Sequence, residues 1–492
     1  MAPAAQAERI NQEGRILGAL PTVTNMLFFT NADNVLAAMQ IFPVTNPWNE
    51  NVSRLPLITN SDAMITQINS DTGSSHRYLS IFQEMNFALV PDNQLLVSNN
   101  FTLYPDQSDL NGGKFPYALY PTPTNMPIES WPTGTGNTLL QWQTNNNGDD
   151  RHSIIVQPGT GYIYETWMQY RLGTNWFAAN GAMFNMSSNM LRLDGDTSGD
   201  AAGLPMFPAL VRFDECERGM VEHACRLVVV HSRDQHIYPA IHNTSGFSGV
   251  NYPSMGQRLR LKSSFVIPAN WTKEEKALAL GLKKYGGLVA DNSSSFFSLS
   301  ITPDPRWSNT LNHLVSGGLP IANFEVVQTT GPTEGPRSPN PPVANAGADQ
   351  SVSILTGAQL AGVVNFSGAP PTMQWNLYSG PGTVTFGNAT VTNTTATFST
   401  GGAYTLMLSA DDGVHAVAYD AVVITVTNAI GVTIGRSGTN VNLAWVGGPS
   451  PFVVERADGL PVSSWIPVTT TSVQSVSVPM TNVTQYFRVR SQ

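Results

Sequence analysis

Apolar and polar residues alternate in short runs along most of this chain, the pattern of strands with one face buried. Within the first 330 residues the runs fall at Ser153–Gln157, Gly161–Tyr170, Ala209–Phe213, Arg226–Val230, Leu259–Phe265 and Ser295–Ile301. One stretch, 273–284, has helical periodicity instead. Thr272 stands before it with Glu275 three residues on, a capping box, and Gly286 is placed to end it. A single helix among many strands predicts an all-β fold, a large sandwich or jelly-roll-like unit with one short helix, and excludes a doubly wound sheet.

This pattern breaks at 331–342, where five prolines fall within twelve residues. Proline fixes φ and lacks a donor, so the segment reads as a semi-rigid linker after a large unit at 1–330. Beyond it, short β-branched runs separated by Gly, Asn and Asp predict two small immunoglobulin-like sandwiches, at 343–428 and 429–492. The first resembles a PKD-type module through Pro342-Val-Ala-Asn-Ala-Gly-Ala-Asp-Gln350, Trp375, Ser379-Gly-Pro-Gly382, the run Tyr404–Gly413 and Asp420. The second is similar to a short fibronectin type III module, with Trp445 and Tyr486 as expected core aromatics. Such modules imply non-catalytic spacers or glycan-contacting appendages of secreted bacterial proteins.

Only 12% of the 492 residues are charged, against about 25% in ordinary soluble domains. The net charge is −9 and no Lys/Arg cluster occurs, which argues against a nucleic-acid partner. No apolar run reaches the ~18 residues of a membrane span. The start, Met1-Ala-Pro-Ala-Ala-Gln-Ala7, reads as a mature secreted protein behind an added methionine. Two cysteines, Cys216 and Cys225, allow one disulfide across a short connection; two free buried thiols are the other reading.

The large unit resembles a group of secreted bacterial β-proteins with no assigned reaction. The resemblance is carried by Asn46-Pro-Trp-Asn49, Asp150-Arg-His152, Tyr164-Glu165, Asp200-Ala-Ala-Gly-Leu-Pro205, the run Leu210–Glu215, His223-Ala224, the run Met255–Lys262, Lys283-Lys-Tyr-Gly286 and Ala290-Asp-Asn292. It implies an extracellular location more than a chemistry. Where the group tends to be Gly-rich after Pro127-Ile-Glu129, this chain has Ser130-Trp131.

Several constellations bear chemistry. A tight turn at Pro158-Gly-Thr160 pairs Ile155 with Tyr164 and His152 with Trp167, and alternation then puts His152, Glu165, Trp167 and Gln169 on one face. An acid, an imidazole, an amide and an indole together suit sugar recognition, with Glu165 as a general acid raised by apolar surroundings. The competing reading is a polar network that only fixes the hairpin. Asp194, Asp196 and Ser198 have the alternating oxygens of a calcium loop; Pro205 at the twelfth position excludes an EF-hand, leaving a looser calcium site or a plain surface turn. No other cofactor is required. His223, His231, His236 and His242 lack the compact spacing of a zinc site, and His223 and His242 are read as cleft partners. Arg258, Arg260 and Lys262 alternate, so they share a face, suited either to an acidic polymer or to salt bridges with neighbouring strands.

The expectation is a secreted glycan-active protein, foremost a polysaccharide hydrolase. Its carboxylates would be Glu165 with Asp200 or Glu215, assisted by His152 and His223, with Trp167, Gln169, His242, Arg258 and Arg260 contacting substrate. Carboxyls ~5–5.5 Å apart would imply retention and ~6.5–9.5 Å inversion. A non-catalytic glycan-binding, adhesive or self-associating surface component is the first alternative. A uronate lyase using the cationic row is the second.

Overall fold

The computed structural model describes residues 9–133, 136–145, 150–244, 246–328, 342–412, 417–427, 430–448, 450–482 and 484–492. The predicted linker therefore lies outside the described residues, apart from Pro342. The chain divides into two compact units, Asn11–Pro339 and a second comprising Asn340–Asp412 and Val417–Gln492. The fold is all-β and multi-sandwich.

Three sheets lie wholly within the first unit among the described residues. Their strands are β1 (Leu79–Gln83), β2 (Ala88–Leu89), β3 (Val97–Phe101), β4 (Tyr117–Tyr120), β5 (Ser153–Gln157), β6 (Tyr162–Trp167), β7 (Tyr170–Leu172), β8 (Asn175–Ala178), β9 (Asn180–Asn185), β10 (Cys225–Val229), β11 (Arg258–Leu261), β12 (Gly287–Asn292), β13 (Phe297–Ile301) and β14 (Phe324–Val326). A six-stranded sheet has the order β14-β11-β12-β10-β13-β1, and the four-stranded sheets run β9-β6-β5-β2 and β4-β3-β8-β7. The β5–β6 hairpin has the expected register, Ile155 opposite Tyr164 and Ile154 opposite Glu165. Both its faces are covered. Ile154, Val156 and Ile163 join the main core with Leu227, Val229, Leu299 and Ile301, while Ile155 and Tyr164 join a second core with Phe101, Tyr120 and Trp176.

Six α-helices occur among the described residues where the sequence signals one: α1 (Asp33–Ala38), α2 (Ser61–Asp71), α3 (Leu139–Thr144), α4 (Phe213–Arg218), α5 (Lys273–Lys284) and α6 (Asn312–Val315). The predicted one, α5, has the predicted bounds, and its capping box between Thr272 and Glu275 is formed in both directions. Gly286 follows at φ +62°, where a Cβ would lie 2.0 Å from the Leu259 carbonyl oxygen, so only glycine fits. The predicted strand at Ala209–Phe213 does not form. Phe207–Ala209 is a single 3-10 turn and Phe213 opens α4, leaving Val211 in one bridge with Ile301.

In the second unit, the sheets 350–353/418–427/402–411/372–379 and 358–361/393–398/384–386 enclose Trp375, Tyr404, Leu406, Leu408 and Phe398. The terminal sandwich closes on Leu443, Trp445, Phe452 and Val454. Trp445 is in the core as expected. Tyr486 is half-buried instead, and the next residue, Phe487, packs against that core.

Candidate functional site

On the face of β5 and β6 turned to the main core, the apolar row Ile154, Val156 and Ile163 gives way at one end to the polar residues Glu165 and His152. Glu165, fully buried, accepts hydrogen bonds from the backbone N–H groups of Met206 and Phe207, at 2.9 Å each. Burial raises its pKa to about 7, assisted by the charge of Asp200 and opposed by those two donors. His152 lies on the same face, and a Cβ added at Gly199 would lie 3.7 Å from both side chains. Its Nδ1 is 2.7 Å from Glu129 Oε2 and its Nε2 is 2.7 Å from the Gly199 carbonyl oxygen. A carbonyl and a carboxylate only accept, so both ring nitrogens donate and the ring is an imidazolium. Burial works against that charge, but Glu129 outweighs it and holds the pKa at about 9. Reciprocally, His152 holds Glu129 below the usual carboxylate range in spite of burial.

The six-stranded sheet supplies the rest. Arg226 on β10 donates from Nε to Asp200 Oδ1 at 3.0 Å and from Nη2 to Asp291 Oδ2 at 2.6 Å. Asp200 Oδ2 is buried without a hydrogen-bond partner among the described residues. Burial, with the nearby charge of Asp291, raises Asp200 to about 7 against the pull of Arg226. Glu84 follows β1 and accepts from Ser300 Oγ on β13 at 2.7 Å. Burial and then the charge of Glu129 raise its pKa. The segment 129–130 bridges the two sheets, because Glu129 N donates to His152 O at 2.9 Å and Ser130 N to Glu84 O at 2.8 Å. Five carboxyls (Glu84, Glu129, Glu165, Asp200, Asp291) thus surround two cations (His152, Arg226). Burial raises three of these acids, Glu84, Glu165 and Asp200, the last two to about 7.

The predicted residues divide sharply. Glu165, Asp200 and His152 come together; His242 reaches the same loop, with Nδ1 2.7 Å from Ala201 O. Trp167 is half-buried, its Nε1 donating to Asp150 Oδ1 at 3.2 Å and its ring stacked 6.4 Å from Tyr104. Gln169 leaves the predicted face. Met168 at φ +54° breaks the alternation, and Gln169 binds Thr166 Oγ1 at 2.7 Å and Asn99 Oδ1 at 3.0 Å on the far side. Glu215 and His223 form a separate cluster with Arg212, and among the described residues no hydrogen bond or ion pair joins its carboxyls to those around Arg226.

At three other places the structure takes the plainer of the two readings that the sequence leaves open. Arg258 and Arg260 do share a face, but Arg258 is fully buried and donates to the Pro47 and Glu50 carbonyl oxygens at 3.1 Å each. Arg260 binds Glu325 at 2.7 Å and the Val52 and Leu55 carbonyls, so the pair fastens segment 47–55 to β11 and offers no cationic cleft. The calcium donors diverge: Asp194 turns to His236 at 2.8 Å, and Ser198 Oγ is used inside its own turn by Asp200 N and the Leu204 carbonyl. Cys216 and Cys225 are free, buried thiols with no bridge between them. Burial pushes Cys225 up to about 12, which excludes a thiolate nucleophile there.

Glu84, Glu129, Arg226 and Asp291 were not assigned roles from the sequence. Glu129 and Asp291 stand inside the motifs quoted above, whereas Glu84 has no signal beyond ending a strand.

No family model matches this chain. No curated protein matches it either. Among solved structures, titin domains A168–A170 are 14% identical over 34% of this chain and 66% of that one, at a TM-score of 0.13. Human CDH23 EC21–23 is 10% identical over 50% of this chain and 88% of that one, at a TM-score of 0.17. No helix among the described residues is long and apolar enough to cross a membrane.

Proposed function

We propose that this chain is a secreted glycoside hydrolase acting on a polysaccharide, with Glu84 as general acid and Glu129 as the carboxylate that attacks or activates water. The observation that supports this reading is that the Ser130 N–H bond to the Glu84 carbonyl oxygen, 2.8 Å, sets Glu129 beside Glu84, with the pKa values of the two carboxyls displaced in opposite directions. Glu84 is raised, Glu129 is lowered by His152, and the charge of Glu129 contributes to raising Glu84. Two acids whose environments push them apart are what an acid–base pair at neutral pH requires. Glu84 is half-buried and so meets the surface, and Glu129, though buried, keeps 8% of its surface exposed against 0% for Glu165 and 1% for Asp200. Those two act as positioning residues: Glu165 holds the 206–207 backbone, and Asp200 holds Arg226 beside Asp291. The C-terminal sandwiches are, in this proposal, PKD-like and fibronectin type III-like appendages that keep the first unit near its polymer.

The test is reducing-end release from a polysaccharide panel by wild type, Glu84→Gln and Glu129→Gln. Each substitution is expected to lower kcat by about 10²–10⁴. A wild type inactive on every polymer rejects the hydrolase, and retardation of that inactive protein in polysaccharide gels would leave a non-catalytic glycan-binding surface component.

A further inference from the structure

We infer that the half-buried rings of Phe82, Phe296 and His76 form the sugar-stacking subsite of this centre, and that the polymer it takes is neutral rather than uronic. This deepens the hydrolase reading and rests on it. The register places the rings. Ser300 pairs with Phe82 and Ser298 with Ser80 across the parallel β13–β1 ladder, and Leu227 and Val228 pair with Leu299 and Ser298 across β10–β13. Paired residues share a face, so Ser80, Phe82, Ser298, Ser300 and Arg226 lie on one side of the sheet. Glu84 is two residues past Phe82 and is bonded to Ser300, so it is on that side as well.

Phe296 meets Phe82 edge-to-face at 5.3 Å and His76 at 4.6 Å, and all three rings remain half-buried. An apolar ledge beside hydrogen-bonding carboxyls is the chemistry that holds a pyranose, with C–H groups against the ring faces and hydroxyls toward the acids. His152 and Arg226, the two cations of this centre, are already paired with Glu129, Asp200 and Asp291, so neither is free to pair with the carboxylate of a uronic sugar. Arg258 and Arg260 are likewise committed to segment 47–55.

The experiment measures kcat, KM and pH profiles of wild type, Phe82→Ala, Phe296→Ala and the conservative Phe82→Tyr on mixed-linkage glucan, xylan and mannan, and on alginate and polygalacturonate. Expected are turnover of a neutral polymer only, a KM raised about tenfold in both alanine variants with kcat within about threefold, an unmoved pH profile, and recovery of KM in Phe82→Tyr. Turnover of the uronic polymers overturns the substrate class. Unchanged KM in both folded alanine variants overturns the ledge. If wild type turns over nothing, the hydrolase reading fails by itself, and gel retardation decides the ledge: retardation by a neutral polymer that is lost in Phe296→Ala supports it, and no retardation overturns it.

Discussion

His152 with Glu129 and His223 with Glu215 are both buried imidazole–carboxyl contacts, of 2.7 Å and 2.9 Å, yet the first imidazole is a cation and the second is neutral. His152 is driven to about 9, whereas burial and then Arg212 drive His223 down to about 3. The difference lies in the third partner. Among the described residues no guanidinium forms an ion pair with Glu129, so His152 supplies the cation in contact with it; Glu215 already contacts Arg212, and a second cation beside it is disfavoured. His223 Nδ1 is spent on the Ala224 carbonyl at 2.8 Å, so Nε2 and Glu215 share a single proton. One cluster has more carboxyls than cations; the other is nearly balanced and holds α4 to the start of β10. Residue type and burial are alike in both. Charge balance separates the candidate centre from the structural one.

This contrast can be broken by substitution. His152→Ala leaves Glu129 buried without its cation and is expected to cost about 3 kcal/mol, read as a lowered denaturation midpoint. A loss within experimental error would mean that Glu129 takes up a proton freely and that the pair is no ion pair.

The pH dependence of stability is the next largest effect. Glu165 and Asp200 have folded pKa values raised to about 7, so protonated carboxyls favour the fold and that stability is lost as pH rises through 7. His152, raised to about 9, contributes fully below about 6.5 and is lost as pH rises through 9. All three signs agree. Wild-type stability is expected to fall by on the order of 2 kcal/mol between pH 6 and 9, and Glu165→Gln is expected to flatten the lower part of that slope. A wild type that gains stability across this range contradicts the assignments.

Arg212→Met should raise the His223 pKa toward its ordinary value, measured by NMR titration of the imidazole, while His152 stays unchanged. The smallest expected effect is on the thiols: reductant should leave Tm unmoved, because Cys216 and Cys225 form no bridge. A fall in Tm on reduction would show that they do.

Much of the scaffold is legible in the sequence because local patterns decide it. The capping box at Thr272 and Glu275 fixes α5 to the residue, and the turn at Pro158-Gly-Thr160 fixes the β5–β6 register. Helix α2 is missed because only Ser61, Met64, Ile65 and Ile68 of its eleven residues are buried, too thin a stripe to stand out among its polar residues. The run at 209–213 misleads because a short apolar run suits a strand or a buried helix entry equally. For the site, alternation correctly unites His152 with Glu165, then fails at Gln169, where a single positive φ reverses the face. It also puts Arg258 and Arg260 on one face, but period two is silent on whether that face is open or covered by segment 47–55. Glu84 and Glu129 are 45 positions apart in the chain and meet only through the pairing of 129–130 with two sheets, which no local pattern encodes.

The most direct measurement compares Glu129→Gln with Glu215→Gln on a polysaccharide that the wild type hydrolyses, with Tm recorded for each. If the cation-poor cluster is the catalytic centre, Glu129→Gln loses at least about 10²-fold in kcat, and Glu215→Gln keeps kcat within about threefold once corrected for folded fraction. Equal losses, or a larger loss in folded Glu215→Gln, would contradict the account.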